Sequence, residues 1–148
     1  MAHTVIKVDQ AIRRGEQLLG RPYSQENRGT TMDAGQFDCS SFIGTIWAVP
    51  GAPATPGMVA AYTAAGFDHY AYGSVPLKKG DILVYNGPHG GAGDDGHTCM
   101  IYNSSLAIIE STGSVGVRIT GFYDYGWQDI LRGSGGLYIV HWTGRNPF

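Results

Sequence analysis

The side chains whose types and order could do chemistry are Cys39, His97 and Glu110. A cysteine thiol attacks a carbonyl carbon when a base takes its proton and a third group orients that base. Each residue alone is a weak signal, because a lone histidine is more often structural and an isolated glutamate is usually a solvated charge. Their order along the chain, a cysteine, then a histidine, then an acceptor, favours a cysteine-dependent hydrolase.

The segment around Cys39 predicts a helix that begins at the cysteine. Apolar side chains recur on one helical face, at Cys39, Phe42, Ile43, Ile46 and Trp47. Asp38 is a good N-cap for this helix, and Pro50 predicts its end. A helix start carries about half a positive charge, which favours the thiolate over the thiol. The segment therefore predicts a nucleophilic cysteine, and a buried structural thiol is the alternative.

His97 and Glu110 lie on two strands that are predicted to form a hairpin. His97 opens one strand directly after a glycine-rich stretch, and Glu110 lies near the end of the next. A two-residue turn would pair His97 with Glu110 on one face, whereas a three-residue turn would set Glu110 opposite Thr98 on the other face. Both registers stay open at this point. Asn103 and Ser111 are the other candidate partners of His97, and a backbone carbonyl or a water is the alternative without a catalytic partner.

Length and composition fit one domain that covers residues 1–148. Hydrophobic residues make up 43% of the chain and charged residues 15%, a balance that predicts a folded core. The net charge of −2 gives no reason to expect nucleic acid or an anionic membrane as a partner. No apolar run approaches the ~20 residues of a membrane span, and the N-terminus lacks the charged-then-apolar plan of a secretory signal. We expect a monomer.

Helical spacing comes before strand patterns along the chain. Two further helices are predicted, one over residues 8–19 and one with Thr55 as N-cap and Pro56 as its first residue. The segment 67–75 is predicted to be irregular. Strands are predicted at 81–85, 96–102, 106–111, 115–120 and 137–142. This order predicts an α+β domain in which N-terminal helices pack on an antiparallel sheet of about five strands.

Three short motifs in this order resemble the NlpC/P-sixty superfamily of papain-like cell-wall peptidases and the related CHAP amidases. They are Phe37-Asp38-Cys39-Ser40-Ser41-Phe42, Leu77-Lys78-Lys79-Gly80-Asp81-Ile82-Leu83 and Gly96-His97-Thr98. The glycine-rich lead into the third motif and the Ile108-Ile109 pair are most similar to phage lysin amidases. The resemblance covers residues 18–120, and it implies a papain-like domain that hydrolyses an amide bond in peptidoglycan.

The resemblance also implies roles for single residues. Cys39 matches the nucleophile and His97 the general base. Tyr23 matches a tyrosine that positions the substrate near the cysteine, and Asp38 and Ser40, which flank the nucleophile, are assigned to substrate binding with it. No cofactor or metal is implied. The implied partner is bacterial peptidoglycan, and the implied setting is the bacterial cell wall, outside the cell or in the periplasm.

Two residues depart from the family pattern. Glu110 departs from the His, Asn or Gln that is usual at the third position of NlpC-type members, and it agrees with the acidic residues common in CHAP members. Cys99 stands where a small or aliphatic residue is usual, two positions after His97. It opens two alternatives. One is a zinc site with His97, Cys39 and either Asp94 or Asp95, and the other is a disulfide with Cys39 that would silence the nucleophile. The absence of a C-x-x-C knuckle disfavours zinc.

The substrate groove is expected to be lined by Tyr23, the loop 86–96 and the aromatic segment 122–127, since loops on a rigid sheet carry specificity. A phage or prophage lysin is the favoured setting. The alternatives are a secreted bacterial effector amidase, a non-catalytic domain that binds wall peptide, and a metal or redox module built on Cys39 and Cys99.

Overall fold

The computed structural model describes residues 7–85, 96–113, 115–122 and 137–143 of the chain. Within these residues three helices come first, namely α1 (Val8–Gln17), α2 (Cys39–Trp47) and α3 (Thr55–Ala64). Six strands follow, namely β1 (Phe67–Ala71), β2 (Ile82–Tyr85), β3 (His97–Ile101), β4 (Ala107–Thr112), β5 (Gly116–Gly121) and β6 (Leu137–Trp142). The predicted α+β class is confirmed. No helix in the described part of the chain is long and apolar enough to cross a membrane.

The strands form one antiparallel sheet in the order β1-β6-β2-β3-β4-β5. β2 to β5 follow one another as the predicted meander, whereas β6 lies between β1 and β2. The prediction of an irregular segment over 67–75 is wrong for β1, which pairs with β6 from Phe67 opposite Trp142 to Ala71 opposite Tyr138. The partner of β1 lies at the far end of the described chain, so no local pattern marks β1 as a strand.

Helix α2 is capped by the residue that the sequence predicts. The Asp38 carboxylate accepts a hydrogen bond from the Ser41 amide at 2.7 Å, and the Ser41 hydroxyl accepts one from the Asp38 amide at 3.0 Å. This reciprocal capping fixes the direction in which α2 leaves the preceding loop. At its other end Ala48 takes a left-handed conformation with φ 56°, and the helix ends before Pro50. In α3, by contrast, Thr55 is the first helical residue, so its predicted capping role is wrong.

Apolar side chains cover both faces of the sheet. On one face the helices pack on the strands through Phe42, Ile43, Ile46, Trp47, Ile82, Val84, Met100, Ile109 and Val140. A second apolar cluster covers the other face, with Leu83, Tyr85, Cys99, Ile101, Ile108, Phe122, Leu137 and Ile139. Burial on both faces explains why β2 is a continuous apolar run. The sheet is therefore a rigid support for the side chains at its strand ends.

Candidate active site

Cys39 is the first residue of α2 and lies in the wall of a polar cavity. Its side chain is a free thiol, and only 8% of the residue is exposed. The cap occupies the Ser41 amide. The other two amides of the first turn, those of Cys39 and Ser40, donate to no hydrogen-bond acceptor among the described residues and are available to a ligand. These two amides lie at the positive end of the helix, close to the sulfur, where they could stabilise a developing oxyanion.

His97 is the first residue of β3, and it links Cys39 to Glu110. Its Nε2 donates to the Glu110 Oε1 at 2.8 Å, since an ionised carboxylate only accepts. This contact leaves Nδ1 as the ring nitrogen that can interact with the Cys39 sulfur. Burial lowers the pKa of His97, but the hydrogen bonds and negative charges of Cys39 and Glu110 outweigh burial and raise the pKa to about 9. The raised pKa favours the protonated ring, an imidazolium, as the partner of a Cys39 thiolate.

Glu110 is buried in β4, with 2% of the residue exposed, and it is held from two sides. Arg118 of β5, its direct cross-strand partner, places Nε at 3.0 Å and Nη2 at 2.9 Å from Oε2. His97 contacts the other oxygen. Burial raises the pKa of Glu110, but the hydrogen bonds and charges of His97 and Arg118 outweigh burial and hold the pKa below its usual value. Glu110 is therefore a carboxylate at neutral pH.

The hairpin that carries His97 and Glu110 has neither of the two predicted registers. Met100 lies opposite Ile109, because the turn spans four residues, 103–106. Continued along both strands, this register sets Glu110 opposite Cys99, so Glu110 reaches His97 along a diagonal of one sheet face. The structure thus brings the two side chains together, as the sequence suggests, through a longer turn than either prediction assumes.

The other candidate partners of His97 are engaged elsewhere. The side-chain oxygen of Asn103 accepts hydrogen bonds from two amides of its own turn, at 3.0 and 3.1 Å. In the same turn Leu106 adopts a φ of 60°, which is uncommon for a residue with a side chain. The Ser111 hydroxyl, which points away from Glu110, donates to the Phe37 carbonyl at 3.1 Å. Neither side chain is placed to orient His97.

A polar cavity of about 320 Å³ opens beside Cys39. Its wall is made by Tyr23, Gln25, Asp38, Cys39, Ser40, Ala54, Thr55 and Gly96. The three residues predicted to bind substrate, Tyr23, Asp38 and Ser40, all lie in this wall. Burial and the negative charges of Cys39 and Asp38 raise the pKa of Tyr23 to about 12, so its phenol keeps the proton and can donate a hydrogen bond.

The side chains of Asp38 and Ser40 are engaged by an arginine of the preceding loop. Arg28 donates from Nε to the Asp38 carboxylate at 2.9 Å, and from Nη2 to the Ser40 hydroxyl at 3.1 Å and the Ala52 carbonyl at 2.5 Å. These contacts hold the start of α2 in place. Neither Arg28 nor Arg118 is assigned a role from the sequence. The sequence pattern that could have identified Arg118 is a positive charge in the alternating strand that forms the next hairpin with the strand of Glu110. No sequence pattern identifies Arg28.

Only part of the predicted groove lies among the described residues. Gly96 lines the cavity, whereas residues 86–95 and 123–127 lie outside the described part of the chain. Phe122 does not line the cavity. Its ring is buried in the second apolar cluster, with its centre 6.4 Å from that of Tyr72. The assignment of Phe122 to the groove is therefore wrong, because the chain leaving β5 turns this ring into the core.

Cys99 is a fully buried free thiol in the second apolar cluster. Burial, together with the charges of Glu110 and Cys39, raises the pKa of Cys99 well above its usual value, so this thiol stays protonated and unreactive. Within the described residues, no three His, Cys, Asp or Glu side chains are arranged to hold a metal ion. The Asp94-Asp95 pair of the zinc alternative lies outside that part of the chain.

The fold is similar to that of solved NlpC/P60 structures. One is an NlpC/P60 family protein from Bacillus cereus, with a TM-score of 0.63 and 20% identity over 99% of this chain and 42% of that one. Another is the P60 domain of an antigen from M. avium subspecies paratuberculosis, with a TM-score of 0.50 and 19% identity over 80% of this chain and 88% of that one. No family sequence model matches the chain, and no curated protein matches it in sequence. The chain has the NlpC/P60 papain-like fold, and it spans less than half of the B. cereus protein.

Proposed function

We propose that this chain is a peptidoglycan hydrolase that cleaves an amide bond by a cysteine–histidine mechanism. The observation that carries the proposal is the series of contacts from the Cys39 thiol through His97 to the Glu110 carboxylate, beside a polar cavity. The likeness to NlpC/P60 structures supports wall peptide as the substrate class, since the motifs around Cys39 and His97 resemble the same family.

In the proposed mechanism one proton moves between Cys39, His97 and the substrate. The Cys39 thiolate, paired with the His97 imidazolium, attacks the carbonyl carbon of the scissile amide. The amides of Cys39 and Ser40 stabilise the oxyanion that forms. His97 then gives its proton to the leaving amine, and a thioester acyl-enzyme results. Water attacks the thioester while His97 takes a proton from it, which releases the acid and restores the pair of Cys39 thiolate and His97 imidazolium.

Supporting roles in this mechanism fall to four further side chains. Glu110 keeps the His97 proton on Nε2 and stabilises the imidazolium. Tyr23 donates a hydrogen bond from its phenol to the bound peptide, since its raised pKa keeps the phenol protonated. Asp38 and Ser40 form the cavity wall and, through their contacts with an arginine, fix the helix start that carries the sulfur.

We propose the catalytic domain of a phage or prophage lysin as the biological setting. The glycine-rich lead into His97 and the Ile108-Ile109 pair support this choice, since both resemble phage lysin amidases. In this setting the domain acts at the bacterial cell wall, as a monomer and without a cofactor. Purified protein added from outside to cells of candidate hosts tests the setting, and a lysin should clear at least one of them.

Turbidity loss of purified cell walls tests the chemistry. Wild type should clear the walls and release new amino groups, whereas Cys39→Ala should do neither. Cys99→Ala is the matched control, because it removes a second buried thiol that has no role in the proposed mechanism, and it should keep the activity. A wild-type protein that sediments with the walls but releases no amino groups would contradict the hydrolase and favour a wall-binding domain. The masses of the released fragments identify the bond.

A further inference from the structure

Arg118 holds the half of the Glu110 carboxylate that His97 does not use. Its Nε and Nη2 lie 3.0 and 2.9 Å from Oε2, whereas the His97 Nε2 lies 2.8 Å from Oε1. Each oxygen thus has its own donor, and rotation of the carboxylate would disturb both sets of bonds. We propose that Arg118 is a positioning residue that fixes the Glu110 carboxylate so that Oε1 faces the His97 ring. Its effect on turnover rests on the proposed function.

The sheet itself makes the contact between Arg118 and Glu110 specific. The two residues are direct partners in the β4–β5 ladder, so their side chains leave the sheet on the same face. The Glu110 side chain is 2% exposed and that of Arg118 is 23% exposed. Exposed ion pairs contribute little, but removing one partner of a buried pair leaves an uncompensated charge. Loss of Arg118 should therefore leave the buried Glu110 carboxylate with an incompletely compensated charge.

Arginine has a geometric advantage over lysine at this position. Its planar guanidinium directs two N–H groups in a fixed fork, whereas an ammonium is a single charge on a flexible stem. Two donors from a rigid plane on one oxygen restrict the orientation of the carboxylate more than one mobile donor does. Without the fork, Oε2 would lose both donors of Arg118, and the carboxylate would be less restrained in rotation. The Nε2–H bond of His97 would then lose its fixed acceptor.

The consequence for catalysis follows from the position of His97. Its ring is fixed at one nitrogen by Glu110 and must present the other nitrogen to the Cys39 sulfur. The side chains that face this ring from the described elements are Cys39 of α2, Tyr85 of β2, Cys99 of β3 and Glu110 of β4. Among them Glu110 accepts the Nε2 proton, so its orientation sets that of the ring. A displacement of about 1 Å can cost about 100-fold in rate.

The test compares Arg118→Met and Arg118→Lys with wild type, and uses Arg14→Met as the control. Arg14 is also a partly buried arginine that donates from Nε and Nη2, but to the Ile46 and Thr45 carbonyls at the other end of α2. Turnover is measured on soluble wall fragments. The low-field proton NMR signal of the His97 Nε2–H group reports its bond to the carboxylate. We expect both Arg118 variants to lower kcat about 100-fold with little change in KM and to lose the signal, whereas Arg14→Met keeps both.

Several outcomes would overturn this inference. A low-field signal that survives in Arg118→Met shows that the carboxylate does not need the fork, whatever happens to turnover. Full recovery of turnover and signal in Arg118→Lys shows that charge alone suffices. The NMR measurement does not depend on hydrolysis. If wild type cleaves no wall fragment but the signal still disappears in both variants, the positioning role stands and the proposed function fails.

Discussion

Replacing Glu110 by glutamine keeps the shape of the side chain but leaves either His97 or Arg118 without its acceptor. The carboxylate accepts from His97 at one oxygen and from Arg118 at the other. A glutamine has one oxygen and one NH₂ group, and Arg118 can only donate, so the oxygen turns to Arg118 and the NH₂ group to His97. The ring must then carry its proton on Nδ1, the nitrogen that faces Cys39. In that tautomer His97 cannot take the thiol proton.

The expected loss of activity is much larger than the loss of stability. The corresponding change in a serine protease triad lowers kcat by about 10⁴-fold, which corresponds to about 5.5 kcal/mol of activation free energy. The free energy of unfolding should fall by only about 1–3 kcal/mol, because the amide fills the same space and still accepts from Arg118. The pKa of His97 should fall from about 9 towards its usual 6.5, since a negative charge and a hydrogen bond are lost.

Three measurements on Glu110→Gln check this reasoning, namely the release of amino groups from cell walls, thermal unfolding, and the NMR titration of His97. Glu16→Gln is the matched control, because it removes an equal charge from an exposed carboxylate that accepts a hydrogen bond from Tyr102 at 2.5 Å. The control should be fully active. A fully active Glu110→Gln, with an unchanged His97 titration, would refute the role of Glu110 in orienting the ring.

Three further predictions concern Cys39, Tyr23 and the pH dependence of stability. Cys39→Ser should abolish lysis with a nearly unchanged Tm, and retained lysis would contradict the role of Cys39 as nucleophile. Iodoacetamide should label Cys39 before the buried Cys99, and equal labelling by mass spectrometry would contradict a more reactive Cys39. Tyr23→Phe should raise KM about fivefold, the effect of one lost hydrogen bond of about 1 kcal/mol. An unchanged KM would show that the phenol does not bond to the substrate. The folded pKa of His97 lies above its usual 6.5, so its stabilisation is complete below pH 6.5 and is lost as the pH rises through about 9. Urea titrations should show a fall of at most about 3.4 kcal/mol over that range, and a flat profile would contradict the raised pKa.

The start of α2 was predictable because its determinants lie within a few residues of one another. The cap needs a short acidic side chain at Asp38 and a hydroxyl at Ser41, and both are visible in the sequence next to an apolar helical face. The order of cysteine, histidine and glutamate is likewise visible. Local chemistry therefore identifies the side chains of the candidate site, although not how they meet.

The register and the arginines were not predictable, because they depend on contacts distant in sequence or on rare conformations. A turn over 103–106 requires a left-handed Leu106, which no turn rule anticipates from a leucine. The role of Arg118 follows from its pairing with Glu110, and in a sequence such a residue looks like a solvated charge. β1 is recognised only through its pairing with β6.

The central position of β6 has a consequence for the order in which the chain can fold. β2 can pair with β3 early, but its other edge has no partner until β6 arrives, when Ile82 comes to lie opposite Val140. Pairing between strands so distant in sequence slows folding, since a long loop must close first. During synthesis the sheet cannot be completed before residues 137–142 leave the ribosome. A hydrolase built on this plan would stay inactive until β6 has left the ribosome, and chains halted before residue 137 should be unable to cleave cell walls.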